Sequence, residues 1–128
     1  MKLREAMALH EFRFSSRPRR RALEELDALE LITAHRIIRE IKSYMDARGA
    51  PYSGWYVGIS ANPWERLLLG HGLRIDNPCR FWDCGSDRIA RLVERQILNE
   101  LGTDGGTGGG DSEPAFVYAY LKGPHTNP

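Results

Sequence analysis

The sequence predicts an α+β fold: a small antiparallel sheet flanked by helices, with a long N-terminal helical region. Three observations carry that expectation. Residues 22–48 are rich in Leu, Glu, Ala, Arg and Ile and hold no Gly or Pro, as a helix interior requires. Two short segments, 55–60 and 115–121, alternate side chains with the period of two that strands show. Between them, residues 87–101 repeat apolar side chains at helical spacing.

A chain of 128 residues suits one domain with a single core. Residues 1–49 form a basic segment and helical region that packs on the core, and residues 50–128 carry the α/β core itself. The composition, 41% hydrophobic and 27% charged, is that of an ordinary soluble domain. No apolar run approaches the roughly 20 residues of a membrane-spanning helix. Charge begins at Lys2 and Arg4, with no apolar leader core, so a cytoplasmic location is the expectation. Two cysteines, Cys79 and Cys84, are too few for a disulfide scaffold. With His71 they could form a small zinc site, although such sites normally show four ligands in recognisable pairs. The net charge is +1, with eleven Lys/Arg against eight Asp/Glu in residues 1–50 and seven against nine in residues 51–128. A nucleic-acid contact would therefore draw on the N-terminal arginines or on a partner.

In chain order, Ser15 to Arg21 is a basic run broken by Pro18. Arg17, Arg19, Arg20 and Arg21 are candidates for phosphate contact, and a solvated connector is the plainer reading. From Ala22 to Arg48 the apolar set Leu23, Leu26, Leu29, Leu31, Ile37, Ile38, Ile41 and Met45 predicts a helix covering one sheet face, with a break possible near Leu31–Thr33. Gly49 and Pro51 end it. In the first strand Trp55, Val57 and Ile59 share one face, while Tyr56, Gly58 and Ser60 share the other. A phenol, a missing side chain and a hydroxyl leave open space beside Tyr56, which suggests a site. Asn62 then caps a helix, with Pro63 at its first position and Glu65 three residues after the cap. Arg66 projects from its first turn, Leu67, Leu68 and Leu69 bury, Gly70 closes it and His71 follows, free to bond the last carbonyls.

Residues 72–86 read as a loop anchored by Phe81 and Trp82, with stacking on a base as the alternative role for these rings. Ser86 caps the helix 87–101, which Gly102 ends. Its stripe of Ile89, Ala90, Val93, Ile97 and Leu101 includes the direction of Glu94. A carboxylate inside an apolar arc has to be paired, hydrogen-bonded or metal-bound. The glycine-rich stretch from Gly102 to Asp111 is no P-loop, since no Gly-Lys-Ser/Thr follows. It reads as a flexible connection, with Asp104 and Asp111 as possible metal-binding oxygens. The last strand, Ala115 to Leu121, is expected to be buried on both faces, and the polar tail from Gly123 to be loose.

Tyr56-Val57-Gly58, with Ser60, Asn62 and Arg66, resembles the second half of the GIY-YIG endonuclease motif. In that family a Tyr-Ile-Gly strand runs into a helix with an arginine at this offset and a histidine about one turn beyond, near His71. The resemblance implies a metal-dependent endonuclease that hydrolyses phosphodiester bonds in DNA or RNA. Glu94, like the family's glutamate on a later helix, would hold Mg²⁺ or Mn²⁺. Arg66 would grip the scissile phosphate, His71 would act as acid or base, and Ser60 would lie among the nucleic-acid contacts. The family's Gly-Ile-Tyr strand stands about ten residues before the Tyr-Ile-Gly strand, where this chain has a helix. Its tyrosine, which activates or positions the water beside Tyr56, would have to be Tyr118 or Tyr120, provided that the C-terminal strand pairs with the first. The family's late asparagine has no clear counterpart. A domain that keeps this scaffold but binds nucleic acid or protein without cutting is the rival reading.

Overall fold

The computed structural model describes residues 27–74, 76–106 and 113–128. The arginines at 17, 19, 20 and 21, and Asp111, lie outside them. Helix α1, Ala28–Arg48, starts at a capping box: Asp27 Oδ1 accepts from the Glu30 amide at 2.8 Å while Glu30 Oε1 accepts from the Asp27 amide at 3.0 Å. No break occurs near Leu31–Thr33. Thr33 returns its hydroxyl to the Leu29 carbonyl at 3.0 Å, and the helix runs unbroken to its left-handed cap at Gly49. Ala34, Ile37, Ile38, Ile41 and Met45 form its buried stripe, each isoleucine contributing about 1.5–3 kcal/mol relative to exposure.

A single 3₁₀ turn, Tyr52–Gly54, leads into β1, Trp55–Ser60. Helix α2 begins as expected, with Asn62 Oδ1 accepting from the Glu65 amide and Pro63 at its first position. After Pro63–Glu65 it widens into a π-helical turn, Arg66–Gly70, closed by the bond from the His71 amide to the Arg66 carbonyl. Of the three consecutive leucines, Leu67 alone buries. Leu68 is 43% and Leu69 78% exposed, because neighbouring residues on one helix cannot all turn to the same sheet.

The segment read as a loop holds a strand, β2, Cys79–Asp83. Its Trp82 is buried, as an anchoring role requires. Helix α3, Asp87–Leu101, has the Ser86 and Gly102 caps that the sequence announces. The last strand, β3, covers Phe116–Leu121, and its four central residues are buried.

These strands form a three-stranded antiparallel sheet in the order β1-β3-β2. The C-terminal strand is therefore central. Register pairs Tyr56 with Tyr120, Gly58 with Tyr118 and Ser60 with Phe116 on one side, and Phe81 with Tyr118 on the other. The outer edge of β1 is covered by Asp104, whose amide bonds the Trp55 carbonyl and whose carbonyl accepts from the Val57 amide, both at 2.9 Å. The start of the glycine-rich stretch thus seals a strand edge. A Cβ on Gly105 would lie 2.5 Å from the Val57 carbonyl oxygen, so a side chain there would block that approach.

Trp55, Val57, Ile59, Val117, Ala119 and Trp82 pack against α1 and α3 and make the main core. Among the described residues the fold is thus α+β, with α1 and α3 on one face of the sheet. Among the described residues no helix is long and apolar enough to cross a membrane.

Candidate active site

The opposite sheet face carries Tyr56, Tyr118, Tyr120 and Phe81 under α2, with Leu67 and Leu73 as its apolar cover. The open space expected beside Tyr56 is filled. A Cβ on Gly58 would fall 2.5 Å from the Tyr118 phenol oxygen, so glycine on β1 makes room for a tyrosine ring from β3. The Tyr56 ring lies nearly parallel to its neighbours, with centroids 5.3 Å from Tyr120 and 6.3 Å from Tyr118. The register thus delivers the proximity of the C-terminal phenols to Tyr56 that the sequence reading required.

His71 closes this cluster, 4.7 Å from Tyr56 between ring centroids and 6% exposed. Its Nδ1 lies 2.8 Å from the Asn127 carbonyl and its Nε2 lies 2.7 Å from the Tyr118 hydroxyl. A carbonyl only accepts, so Nδ1 carries the proton and Nε2 is left to accept from Tyr118. The Tyr120 oxygen, 3.1 Å from Nδ1, faces the same proton. Burial lowers the imidazole pKa, which favours this neutral form. The histidine does not serve the helix carbonyls with its ring. Only its backbone amide does so, at the Arg66 carbonyl.

The tail expected to be loose is fastened here. The Asn127 amide donates to the His71 carbonyl at 2.8 Å, returning the bond that its own carbonyl receives from Nδ1. Thr126 and Gly123 close a turn, and His125 Nε2 reaches Asn77 Oδ1 at 2.8 Å. Asn127 acts through its backbone, which no side-chain pattern could have flagged.

Arg66, on the π-helical turn, places its guanidinium charge near the Tyr118 phenol. Burial drives the Tyr118 pKa up, the neighbouring Tyr56 adds to this, and the guanidinium opposes it. Tyr120 is raised in the same way, by burial first. Tyr56 is raised by burial and by the charges of Asp104 and Glu94, against the opposing influence of the Gly106 backbone and the Arg66 charge. Among the described residues, hydrogen bonds link Tyr118, His71 and Asn127 in one chain.

Glu94 sits on α3 at 6% exposure, inside the apolar arc as its spacing implies. Among the described residues no hydrogen bond or ion pair reaches its carboxylate. Burial raises its pKa to about 7, opposed by Arg91 and Arg95. A pocket of about 120 Å³, lined also by Arg91, Arg95, Leu98 and Asn99, opens beside it. Its charge lies close enough to raise both Tyr56 and Tyr118.

Ser60 is placed otherwise than a nucleic-acid contact requires. It is 1% exposed, and its Oγ accepts from the Asn62 amide at 2.9 Å, fastening the turn into α2. Asp104 is engaged too, with its carboxylate 3.1 Å from Lys122 Nζ. The zinc arrangement does not form. Cys79 lies in the tyrosine cluster, whereas Cys84 lies in the main core with its thiol pushed up to about 12 by burial. Among the described residues no group of three His, Cys, Asp or Glu is arranged to hold a metal.

No protein-family model, curated protein or solved structure matches the chain.

Proposed function

We propose that this chain is a metal-dependent endonuclease that hydrolyses phosphodiester bonds in DNA or RNA at the tyrosine face of its sheet. The observation that carries this reading is the pairing of β3 with β1. It sets Tyr118 and Tyr120 beside Tyr56, under the same short helix that bears Arg66 and ends at His71. The tyrosine that a GIY-YIG nuclease takes from a strand before its Tyr-Ile-Gly strand comes here from the far end of the chain.

In this mechanism Arg66 grips the scissile phosphate, where a forked cation stabilises charge that develops on the phosphoryl oxygens. Tyr56 orients the attacking water. Tyr118 takes the water's proton as it passes its own to Nε2 of His71, which is neutral and already accepts that hydrogen bond. The Asn127 carbonyl holds the imidazole in the tautomer that leaves Nε2 open.

A divalent ion fits the residues present. Glu94 is a buried carboxylate with no hydrogen-bond partner among the described residues, and a cation would relieve its desolvation. Mg²⁺ keeps several waters and is commonly held by one or two carboxylates plus substrate phosphates, so a single ligand suffices. When bound, such an ion offsets charge on the phosphate as a Lewis acid.

The test is cleavage of plasmid DNA and of DNA and RNA oligonucleotides with Mg²⁺ or Mn²⁺. Wild type is compared with Glu94→Ala and Arg66→Ala. Metal-dependent cutting that both substitutions abolish is the expected result. Binding without cutting by the wild type would instead favour a scaffold that recognises nucleic acid and leaves it intact.

A further inference from the structure

The second face of the sheet ends in a basic groove that the proposed reaction does not use. It runs along α1 beside β2, has a volume of about 600 Å³, and includes Arg36, Arg39, Tyr44 and Arg80 in its lining. Arg80 lies over both Tyr44 and Trp82, with its guanidinium carbon 6.0 Å and 5.2 Å from the ring centroids. Arg48 lies over Tyr44 at 4.8 Å. Such stacking holds the two guanidiniums in place while their N–H edges stay available to a ligand. Among the described residues of the lining, the one carboxylate, Glu40, is taken up by Arg36 at 3.1 Å. Among the described residues, Arg39, Arg48 and Arg80 make no ion pair or hydrogen bond.

From Arg36 to Ala47 the groove follows α1 for about 16 Å, at roughly 1.5 Å per residue. Successive phosphates on one strand of a duplex rise about 3.4 Å each, so this length spans four or five of them. Arg39, Arg48 and Arg80, spread along that length with Glu40 already paired, suit a repeating polyanion better than one small anion. We propose that the groove binds the phosphate backbone of a nucleic acid, at a segment away from the one that meets the tyrosine face. The choice of nucleic acid over an acidic protein rests on the nuclease reading of that other face. Arg80 faces α1 while its neighbours Cys79 and Phe81 face the tyrosines, so β2 separates the two surfaces. The groove then adds affinity without entering the chemistry.

The experiment measures binding of a labelled mixed-sequence DNA duplex in EDTA, across a series of salt concentrations. The double substitution Arg39→Gln/Arg80→Gln should flatten the dependence of log affinity on log salt by about 2, close to 0.9 for each lost phosphate contact. The charge-keeping pair Arg39→Lys/Arg80→Lys should restore most of the slope. Arg39 and Arg80 are both exposed, and the Lys pair controls for any loss of packing against Tyr44 and Trp82. An unchanged slope in the Gln pair would overturn the proposal, as would a wild type that binds no duplex. Binding of a labelled polyglutamate but not the duplex, lost in the Gln pair, would overturn it in favour of a protein partner. The nuclease reading fails separately. If Mg²⁺ or Mn²⁺ produces no cutting while the slope still responds to the Gln pair, the groove stands without it.

Discussion

On one face of the sheet, Trp55, Val57, Ile59, Val117 and Ala119 meet hydrocarbon from two long helices. On the other, Tyr56, Tyr118 and Tyr120 meet an imidazole, a guanidinium and a backbone carbonyl, under a short helix and the C-terminal tail. The strands are the same, so the two faces cannot be set independently. Slipping the register by one residue would turn every side chain to the wrong side. The apolar face therefore fixes where the phenols stand. The polar face contributes hydrogen bonds that are modest in net stability but exacting in geometry.

The sharpest contrast comes from deleting bulk on the apolar side. Ile41→Ala, at a fully buried position on α1, should cost about 2–5 kcal/mol by urea denaturation. Next comes Gly58→Ala, on the tyrosine side of β1. Its Cβ would overlap the Tyr118 ring, which β3 and His71 hold in place. A loss of about 1–3 kcal/mol is expected, with a changed His71 imidazole signal by NMR. A normal midpoint and an unchanged signal would mean that Tyr118 is not packed as described. Tyr118→Phe should be milder, roughly 1 kcal/mol, because one hydrogen bond is lost while the ring remains.

The smallest effect is a pH slope. Burial raises the folded pKa of Glu94 to about 7 from an ordinary 4.5. Below the lower value both folded and unfolded chains are protonated there, and no penalty exists. Between the two values the folded state keeps a proton that the unfolded chain has released, so stability falls as pH rises. Above about 7 the loss is complete. His71 works the other way. Its pKa is lowered from 6.5, so its contribution to stability grows as pH rises toward that value. The difference between wild type and Glu94→Gln isolates the carboxyl, and its slope should vanish in the substituted chain. Metal affinity should climb over the same window, because the ion competes with that proton.

Much of this was legible from residues alone, for reasons that differ by element. β1, β3 and α3 declare themselves through periodicity, and α2 and α3 through the caps at Asn62, Ser86 and Gly102. Glu94 declares itself by falling within an apolar stripe. β2 does not, because a five-residue edge strand flanked by Pro78 and Gly85, with Arg80 and Asp83 exposed, looks like a loop. The role of Gly58 depends on a ring 60 residues away in sequence, which local pattern cannot supply. The carbonyl of Asn127 carries no sequence signal. Asp27 and Glu30 do spell the capping box that starts α1, but leucines stand on both sides of it and blur the boundary.

The most direct test pairs two readings on one substitution, Glu94→Gln, at a pH above the Glu94 pKa. If the tyrosine face is a hydrolytic site and Glu94 its metal ligand, removing the buried charge should raise the urea midpoint. The same change should lower Mn²⁺-dependent cutting of an oligonucleotide by more than about 100-fold. A chain that loses stability and cuts as fast as the wild type would contradict the account.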